Sequence, residues 1–262
     1  MEAHGKTGRI GKLGAMELQD QVVFITGGAG GLGQAMCRKF AAEGARLVIG
    51  YRTSADAAER LAHELPGSGH SAKEAVVEDS AGLAALSVEI ESEYGRLDIL
   101  INNAGITRFV PHGDLDSLDD DLIDDIFRTN WRGAFACVRA CRSLLDAGDG
   151  GLIINISSIA GVTAMGSNIA YCASKAAMNS MTMSLARALA PRIRVVSLSP
   201  GLAETDFVSG LDQAWWDEQS ERTPLQRLAR PEDVAGAALA IATNLKFSNG
   251  CIIPLDGGRP LT

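Results

Sequence analysis

The chain has 262 residues, of which 46% are hydrophobic, and its 24 basic and 32 acidic residues give a formal net charge of −8. This length allows one or two domains with a sizeable core, and the negative charge argues against nucleic acid or an anionic membrane as a main partner. No apolar run reaches the roughly 18 residues of a membrane span. Five scattered cysteines suit free thiols in a reducing cytoplasm, where we expect the protein, and the four histidines lack the spacing of metal ligands.

Residues 1–15 are rich in glycine and charge and lack the apolar stretch of a signal peptide, so we predict a flexible tail there and a single domain over 16–262, with Met16 as a candidate natural start. Beyond the tail, strand-like and helix-like segments alternate, which predicts a parallel sheet covered on both faces. The predicted strands lie near 21–26, 45–50, 73–77, 97–102, 151–157, 193–198 and 250–255. The predicted helices span 31–43, 54–65, 80–94, 117–146, 170–190 and 231–243.

A glycine-rich turn separates the first predicted strand from the first helix. The segment Thr26–Gly33 reads TGGAGGLG and fits both the G-x-G-x-x-G and the T-G-x-x-x-G-x-G spacings. Glycines let the backbone approach a pyrophosphate, and the following helix N-terminus supplies N–H donors. Such a turn can also be purely structural, but its place between strand and helix favours dinucleotide binding. It predicts an α/β fold of the Rossmann type, a doubly wound parallel sheet in three α/β/α layers.

The end of the second predicted strand bears on the choice of cofactor. NAD sites of this type place a carboxylate there to accept from the ribose 2′-OH, whereas this strand ends in Tyr51 and Arg52 and the first carboxylate is Asp56. The forked donors of an arginine suit a 2′-phosphate. We therefore predict that NADP(H) is preferred and that NAD(H) is possible, the alternative for Arg52 being a merely solvated side chain.

Polar side chains follow the fourth and fifth predicted strands. The segment 102–105 reads NNAG, and Ser158 ends an apolar run; each position is where ligands bind in open α/β sheets, although each could equally be a turn. Further on, Tyr171 and Lys175 are four residues apart and can meet on one helix face. A fixed cation favours a phenolate and lowers the tyrosine pKa toward the working range. Any one of these signals can arise by chance.

Taken together, in this order and spacing, these motifs resemble the short-chain dehydrogenase/reductase family, in its shorter single-domain branch that includes 3-oxoacyl-carrier-protein reductases. The resemblance covers about 18–258. The residues that carry it are Thr26 to Gly33, Asn102 to Gly105, Asn130, Ser158, Tyr171, Lys175, Pro200 to Thr205 and Asp256 to Gly258.

The resemblance implies hydride transfer between nicotinamide C4 and a carbonyl or carbinol carbon. In this mechanism Tyr171 would transfer the proton. Lys175 would lower the pKa of that phenol and hold the nicotinamide ribose. Ser158 would hydrogen-bond the substrate oxygen. Asn130 would hold a water in a proton relay, or would simply be a buried amide bonded to helix backbone. The implied cofactor contacts are Gly27, Gly31, Leu32, Gly33, Tyr51, Arg52, Asn103, Ala104, Gly105, Tyr171, Lys175, Pro200, Gly201, Ala203 and Thr205.

Two positions depart from the family pattern. NADP-preferring members often carry a second base inside the glycine turn, where this chain has Gly30. The aspartate that usually ends the third strand, near the adenine, corresponds by spacing to Val76, with Glu78 and Asp79 nearby but out of register.

The substrate is the least determined part of the prediction. Segments 108–112 and 207–222 should shape the pocket, and Trp215 with Trp216 could form an apolar lid or simply pack. Relatives that reduce acyl groups on an acidic carrier protein show bases before the fifth strand, where this chain has Asp146 and Asp149. We therefore predict a free small carbonyl or secondary alcohol. The alternatives are a 3-oxoacyl-[acyl-carrier-protein] reductase and a non-catalytic NADP-binding scaffold or sensor.

Two further expectations concern structure. The acidic run over 114–125 lacks the glycine of a Ca²⁺ loop and fits a helix N-terminus with Ser117 as cap and Asp120 at the third position. The second long helix carries small residues with Met178, Met181 and Met183, which suits close approach of another helix. With the apolar last strand, 251–253, this predicts a homotetramer, with a dimer as second choice.

Overall fold

The computed structural model describes residues 18–204 and 213–261, so the predicted tail, Met16 and Thr205 lie outside the described residues. The strands are β1 Val22–Ile25, β2 Arg46–Tyr51, β3 Ser71–Glu74, β4 Ile99–Asn102, β5 Gly151–Ile156, β6 Ile193–Pro200 and β7 Ile252–Leu255. The helices are α1 Gly31–Ala42, α2 Ala55–Glu64, α3 Ser80–Tyr94, α4 Asp120–Phe127, α5 Ala134–Ala147, α6 Ala160–Thr163, α7 Ile169–Leu189, α8 Gln213–Glu221 and α9 Pro231–Thr243. None of the helices in these ranges is both long and apolar enough to cross a membrane.

The seven strands form one sheet in the order β3-β2-β1-β4-β5-β6-β7, and every neighbouring pair is parallel. The strand order reverses between β1 and β4, so a crevice opens there at the carboxyl ends of the strands. In β1, Val23 and Ile25 face one hydrophobic cluster while Val22 and Phe24 face the other, as alternation along a strand requires. The predicted doubly wound, three-layer α/β fold is confirmed.

The predicted helix over 117–146 is wrong as a single element. It consists of α4, a π-helical segment Arg128–Gly133, and α5. Its predicted cap is wrong as well, because Asp119 is the cap and its Oδ1 accepts from the N–H of Leu122 at 2.8 Å. Ser117 belongs to the preceding turn, where its own N–H donates to Asp114 Oδ1 at 3.1 Å.

The structure corrects two other expectations. The third strand ends at Glu74, so Val76 follows the strand rather than ending it. Met178 and Met181 offer no surface to a partner, because they are 0% and 6% exposed and pack within the protomer against Ala134. Of the three methionines on α7, Met183 alone is exposed, at 39%.

Candidate active site

The glycine turn is a tight cradle between β1 and α1. Gly27 has a φ of 62°, and a Cβ added there would lie 3.2 Å from Ala104 Cα. A Cβ added at Gly33 would overlap the Gly27 carbonyl oxygen and lie 2.7 Å from Gly28 Cα. Because these nearest neighbours are backbone atoms, only glycine fits at position 33 without moving the turn.

The N-terminus of α1 is open toward the crevice. No side chain caps it, whereas Asp79, Asp119 and Asn168 cap α3, α4 and α7 within the described ranges. The first-turn amides of any helix lack intrahelical acceptors, and here those amides belong to Gly31, Leu32 and Gly33. Together with the glycine cradle, they fit the pyrophosphate of a dinucleotide.

The segment after β4 is fastened to this turn across the switch point. Asn103 Nδ2 donates to the carbonyl oxygens of Thr26 at 3.0 Å and Gly27 at 3.1 Å. In return, Thr26 Oγ1 accepts from the N–H groups of Asn103 and Ala104, both at 3.0 Å. The two segments therefore form one bonded unit around the crevice.

Ser158, Tyr171 and Lys175 come together at the carboxyl end of β5. The cap of α7 holds the tyrosine backbone, because Asn168 Oδ1 accepts from its N–H at 2.7 Å. A side-chain hydrogen bond links Ser158 and Tyr171. Lys175 Nζ donates to the carbonyl oxygen of Ile156 at 2.9 Å and lies 5.6 Å from the centroid of the Tyr171 ring.

The electrostatics of this cluster are set mainly by desolvation. Loss of water raises the pKa of Tyr171 to about 12, although the hydrogen bond with Ser158 opposes the rise. Burial lowers the pKa of Lys175 to about 8. The expected lowering of the phenol pKa by Lys175 is thus absent in the protein alone, because low polarity disfavours the charged form of both groups.

Asn130 is fully buried in the π-helical segment and fixes the loop that follows β4. Its Oδ1 accepts from the N–H of Ile106 at 2.8 Å, while its Nδ2 donates to Ile106 O at 3.0 Å and to Ser174 Oγ at 3.1 Å. Its side chain therefore bonds a loop and α7, not backbone of its own helix. Gly105 lies between, since a Cβ added there would be 3.2 Å from Asn130 Oδ1 and 3.8 Å from Lys175 Nζ.

The end of β2 brings an acidic partner to the predicted phosphate-reading arginine. Arg52 is exposed, and its Nη1 lies 3.8 Å from Glu78 Oε1. Thr129 Oγ1 donates to the same Glu78 oxygen and holds that side chain in place. Tyr51 packs against the core beside them. In the sequence, Glu78 directly precedes Asp79, the cap of α3. That position alone does not predict that Glu78 approaches Arg52.

The remaining predicted cofactor contacts among the described residues lie at the end of β6 and directly after it. The carbonyl oxygen of Pro200 accepts from the N–H of Ile159 at 2.9 Å, which ties this segment to the residue after Ser158. A Cβ added at Gly201 would lie 3.0 Å from Asp256 Cα. Ala203 pairs with Ala229 in an isolated bridge.

Sequence reasoning missed two glycines that shape the catalytic cluster. A Cβ at Gly161 would lie 2.7 Å from the carbonyl carbon of Lys175, and one at Gly166 would lie 3.2 Å from Tyr171 Cδ1. These positions let α6 and the turn after it pack directly on the first turns of α7. The presence of two glycines between Ser158 and Tyr171 was the sequence feature that could have indicated this close packing.

Comparison with known proteins agrees with this geometry. The family described as short chain dehydrogenase matches residues 21–215. A 3alpha-hydroxysteroid dehydrogenase from Mediterraneibacter gnavus is 34% identical over 92% of this chain and 98% of its own. A cis-4-hydroxycyclohexanecarboxylate dehydrogenase from Sinomonas cyclohexanicum is 35% identical over 91% of this chain and 96% of its own.

A solved structure is similar over nearly the whole fold. The 3-ketoacyl-(acyl-carrier-protein) reductase from Brucella melitensis, complexed with NADH, superposes with a TM-score of 0.85 at 31% identity and covers 93% of this chain and 99% of its own. The chain therefore belongs to the short-chain dehydrogenase family, and the predicted resemblance is confirmed. It is an oxidoreductase of a family that binds NAD(P)(H).

Proposed function

We propose that this protein transfers a hydride between NADP(H) and the carbonyl or carbinol carbon of a small, free substrate. The observation that carries the proposal is the meeting of Ser158, Tyr171 and Lys175 at the carboxyl end of β5, on the same side of the parallel sheet as the uncapped N-terminus of α1. NADP(H), held by the contacts predicted above, would supply or accept the hydride. A scaffold that only binds the cofactor would have no chemical need for this cluster.

The side chains have distinct roles in this proposal. Tyr171 Oη gives a proton to the substrate oxygen during reduction and takes it back during oxidation. Ser158 Oγ hydrogen-bonds the same oxygen and so orients it toward Tyr171. Lys175, whose pKa burial lowers to about 8, stabilises the phenolate left by proton transfer when it is protonated, and it holds the nicotinamide ribose.

Asn130 completes the proposed proton path as a positioning residue. Its amide is occupied by Ile106 and Ser174. The family resemblance implies that Asn130 also holds a relay water on the way to Lys175. This role follows the family resemblance and deepens what the side-chain contacts alone explain.

Arg52 is the proposed reader of the NADP(H) 2′-phosphate. We expect Arg52→Ala to weaken NADPH binding by about 1.5–3 kcal/mol, the scale of a charged hydrogen bond, and to leave NADH binding nearly unchanged. Fluorescence titration of both cofactors measures the difference. The carboxylate of Glu78 lies near the same guanidinium and partly offsets its positive charge. Because this weakens the attraction for a 2′-phosphate, NAD(H) stays the alternative cofactor.

The matched control is Arg192→Ala. Arg192 is also exposed and paired, with Asp146, but it directly precedes β6 and so lies at the amino ends of the strands, away from the crevice. It should change neither affinity. Equal losses of NADPH and NADH in Arg52→Ala, or a wild type that binds NADH more tightly, would contradict the proposed preference.

The activity is tested by following NADPH oxidation with ketones, diketones, keto sugars and acyl thioesters. Turnover of free carbonyl compounds supports the proposal. Turnover confined to acyl thioesters would support the second candidate, a 3-oxoacyl-[acyl-carrier-protein] reductase, which the similarity to the Brucella melitensis reductase favours. Tight NADPH binding without turnover of any compound would instead point to a scaffold or sensor.

We also propose a homotetramer, with a dimer as second choice. Phe135 on α5 is 37% exposed and stacks on Trp131 with ring centroids 6.1 Å apart, and β7 forms an edge of the sheet with Ile252 and Ile253 partly exposed. Apolar faces of this kind suit self-association.

Light scattering at micromolar concentration should therefore give a mass about four times the 27.5 kDa of one chain. A mass of two chains would select the dimer. A mass of one chain would contradict the proposed assembly.

A further inference from the structure

Two segments form a single wall beside Tyr171. The residues 107–112 follow β4, and the residues 162–168 lead into α7. Asn168 Nδ2 donates to Arg108 O at 2.7 Å, and the N–H of Val110 donates to Ser167 O at 2.9 Å. The wall reaches the catalytic tyrosine through Gly166, whose added Cβ would lie 3.2 Å from Tyr171 Cδ1.

The side chains that this wall leaves open to solvent are mainly apolar. Phe109, Val162 and Met165 are 71%, 69% and 52% exposed. An exposed valine or phenylalanine is unremarkable alone, but here three apolar side chains are exposed on two adjoining segments next to the catalytic tyrosine. A substrate docked there would cover apolar surface that water otherwise contacts.

The polar groups of the wall are used internally. Thr107 and Ser167 share a hydrogen bond between their hydroxyls, and the carbonyl oxygen of Gly166 accepts from His112 Nε2 at 3.2 Å. Thr163 Oγ1 donates to Ile159 O at 3.0 Å and accepts from the N–H of Met165 at 3.2 Å. Few polar side chains therefore remain to receive the hydroxyls of a polyol.

Charge is nearly absent from the same wall. The sequence from Ser158 to Tyr171 contains no Asp, Glu, Lys or Arg. On the other segment, Arg108 is the charged side chain, and its Nη2 is engaged 3.1 Å from Asp119 Oδ2. A carboxylate or phosphate on the substrate would lose its hydration here without gaining a cation.

We propose that the substrate is a neutral ketone or secondary alcohol whose carbon skeleton is apolar, such as an alicyclic or branched aliphatic compound, and not an anion or a polyol. This inference rests on the proposed function. In the reduction, the carbonyl carbon gains the hydride of NADPH and its oxygen gains the Tyr171 proton, which leaves the alcohol and NADP⁺.

The test compares matched ketones with NADPH. On the ring carbon opposite the carbonyl, methylcyclohexanone carries a methyl group and oxocyclohexanecarboxylate carries a carboxylate; the two are otherwise the same. Decalone is a larger apolar ketone, and erythrulose is a ketone with several hydroxyls. We expect kcat/KM for the two neutral alicyclic ketones to exceed that for the carboxylate and for erythrulose by about 100-fold or more.

Met165→Lys should reverse this preference. It places a cation on the wall, so kcat/KM should fall for methylcyclohexanone and rise for the carboxylate. Met165→Gln makes the side chain polar without adding a charge. It should lower kcat/KM for methylcyclohexanone and should not raise kcat/KM for the carboxylate. Phe247→Lys is the control, because Phe247 is fully exposed and precedes the edge strand β7 at the amino ends of the strands. It should leave the preference unchanged.

The outcomes separate the two proposals. A wild-type enzyme that prefers the carboxylate or erythrulose would overturn the proposal of an apolar substrate and leave the proposed function standing. A Met165→Lys variant that keeps the wild-type preference would do the same. Tight NADPH binding with no turnover of any of the four ketones contradicts the proposed function itself. Circular dichroism melts of each variant confirm that the fold is retained.

Discussion

Tyr171→Phe is expected to lower kcat by at least about 1000-fold, within the range that a positioned general acid contributes. The substitution keeps the ring but removes the hydroxyl that bonds Ser158 and would exchange a proton with the substrate. Steady-state rates of NADPH oxidation measure the loss. NADPH affinity should stay within about twofold of wild type, because most cofactor contacts lie on other segments.

The matched control is Tyr94→Phe. Tyr94 ends α3, and its hydroxyl bonds Gly69 and Ser71 away from the catalytic cluster. That variant should keep the wild-type kcat. If Tyr171→Phe retained more than a few per cent of wild-type kcat, Tyr171 would not be the proton donor.

Gly33→Ala is expected to abolish tight NADPH binding and to destabilise the fold. The new Cβ would overlap the carbonyl oxygen of Gly27 and lie 2.7 Å from Gly28 Cα. Overpacking of this kind costs about 1–3 kcal/mol when side chains can adjust, and a backbone neighbour gives way less easily. Thermal unfolding should show a lower Tm and only a small rise when NADPH is added.

Gly236→Ala provides the control for that substitution. Gly236 lies inside α9, and a Cβ added there would meet no atom within 4 Å. Replacing a glycine inside a helix by alanine stabilises by about 0.5–1 kcal/mol, so its Tm should equal or exceed that of wild type, with the full response to NADPH. A Gly33→Ala protein that behaved like Gly236→Ala would show that the turn does not hold the cofactor.

Most of the sheet could be predicted because its strands are short apolar runs bounded by turns. The residues of β1 and β5 are all buried, as expected of strands covered on both faces. The division of the helix over 117–146 could not be predicted, because its local pattern is helical throughout. What distinguishes the π-helical segment is a tertiary contact, the pairing of Asn130 with the backbone of Ile106.

Part of the candidate site could be predicted from the sequence, and part depends on tertiary contacts. Motif spacing predicted that Tyr171 and Lys175 share a helix face, and the structure brings Ser158 to them. The pKa of Tyr171 could not be predicted, because its direction depends on how completely the surrounding segments exclude water. The approach of Glu78 to Arg52 depends likewise on where α4 and the π-helical segment place Thr129.

The π-helical segment also limits how the length of this chain can vary. A π-helical turn holds one residue more than an α-helical turn, and each residue of an α-helix turns the chain by about 100°. Loss of a single residue between 128 and 133 would restore a regular helix and swing Asn130 away from Ile106. We therefore expect single-residue deletions, which surface loops tolerate, to be selected against in the segment 128–133.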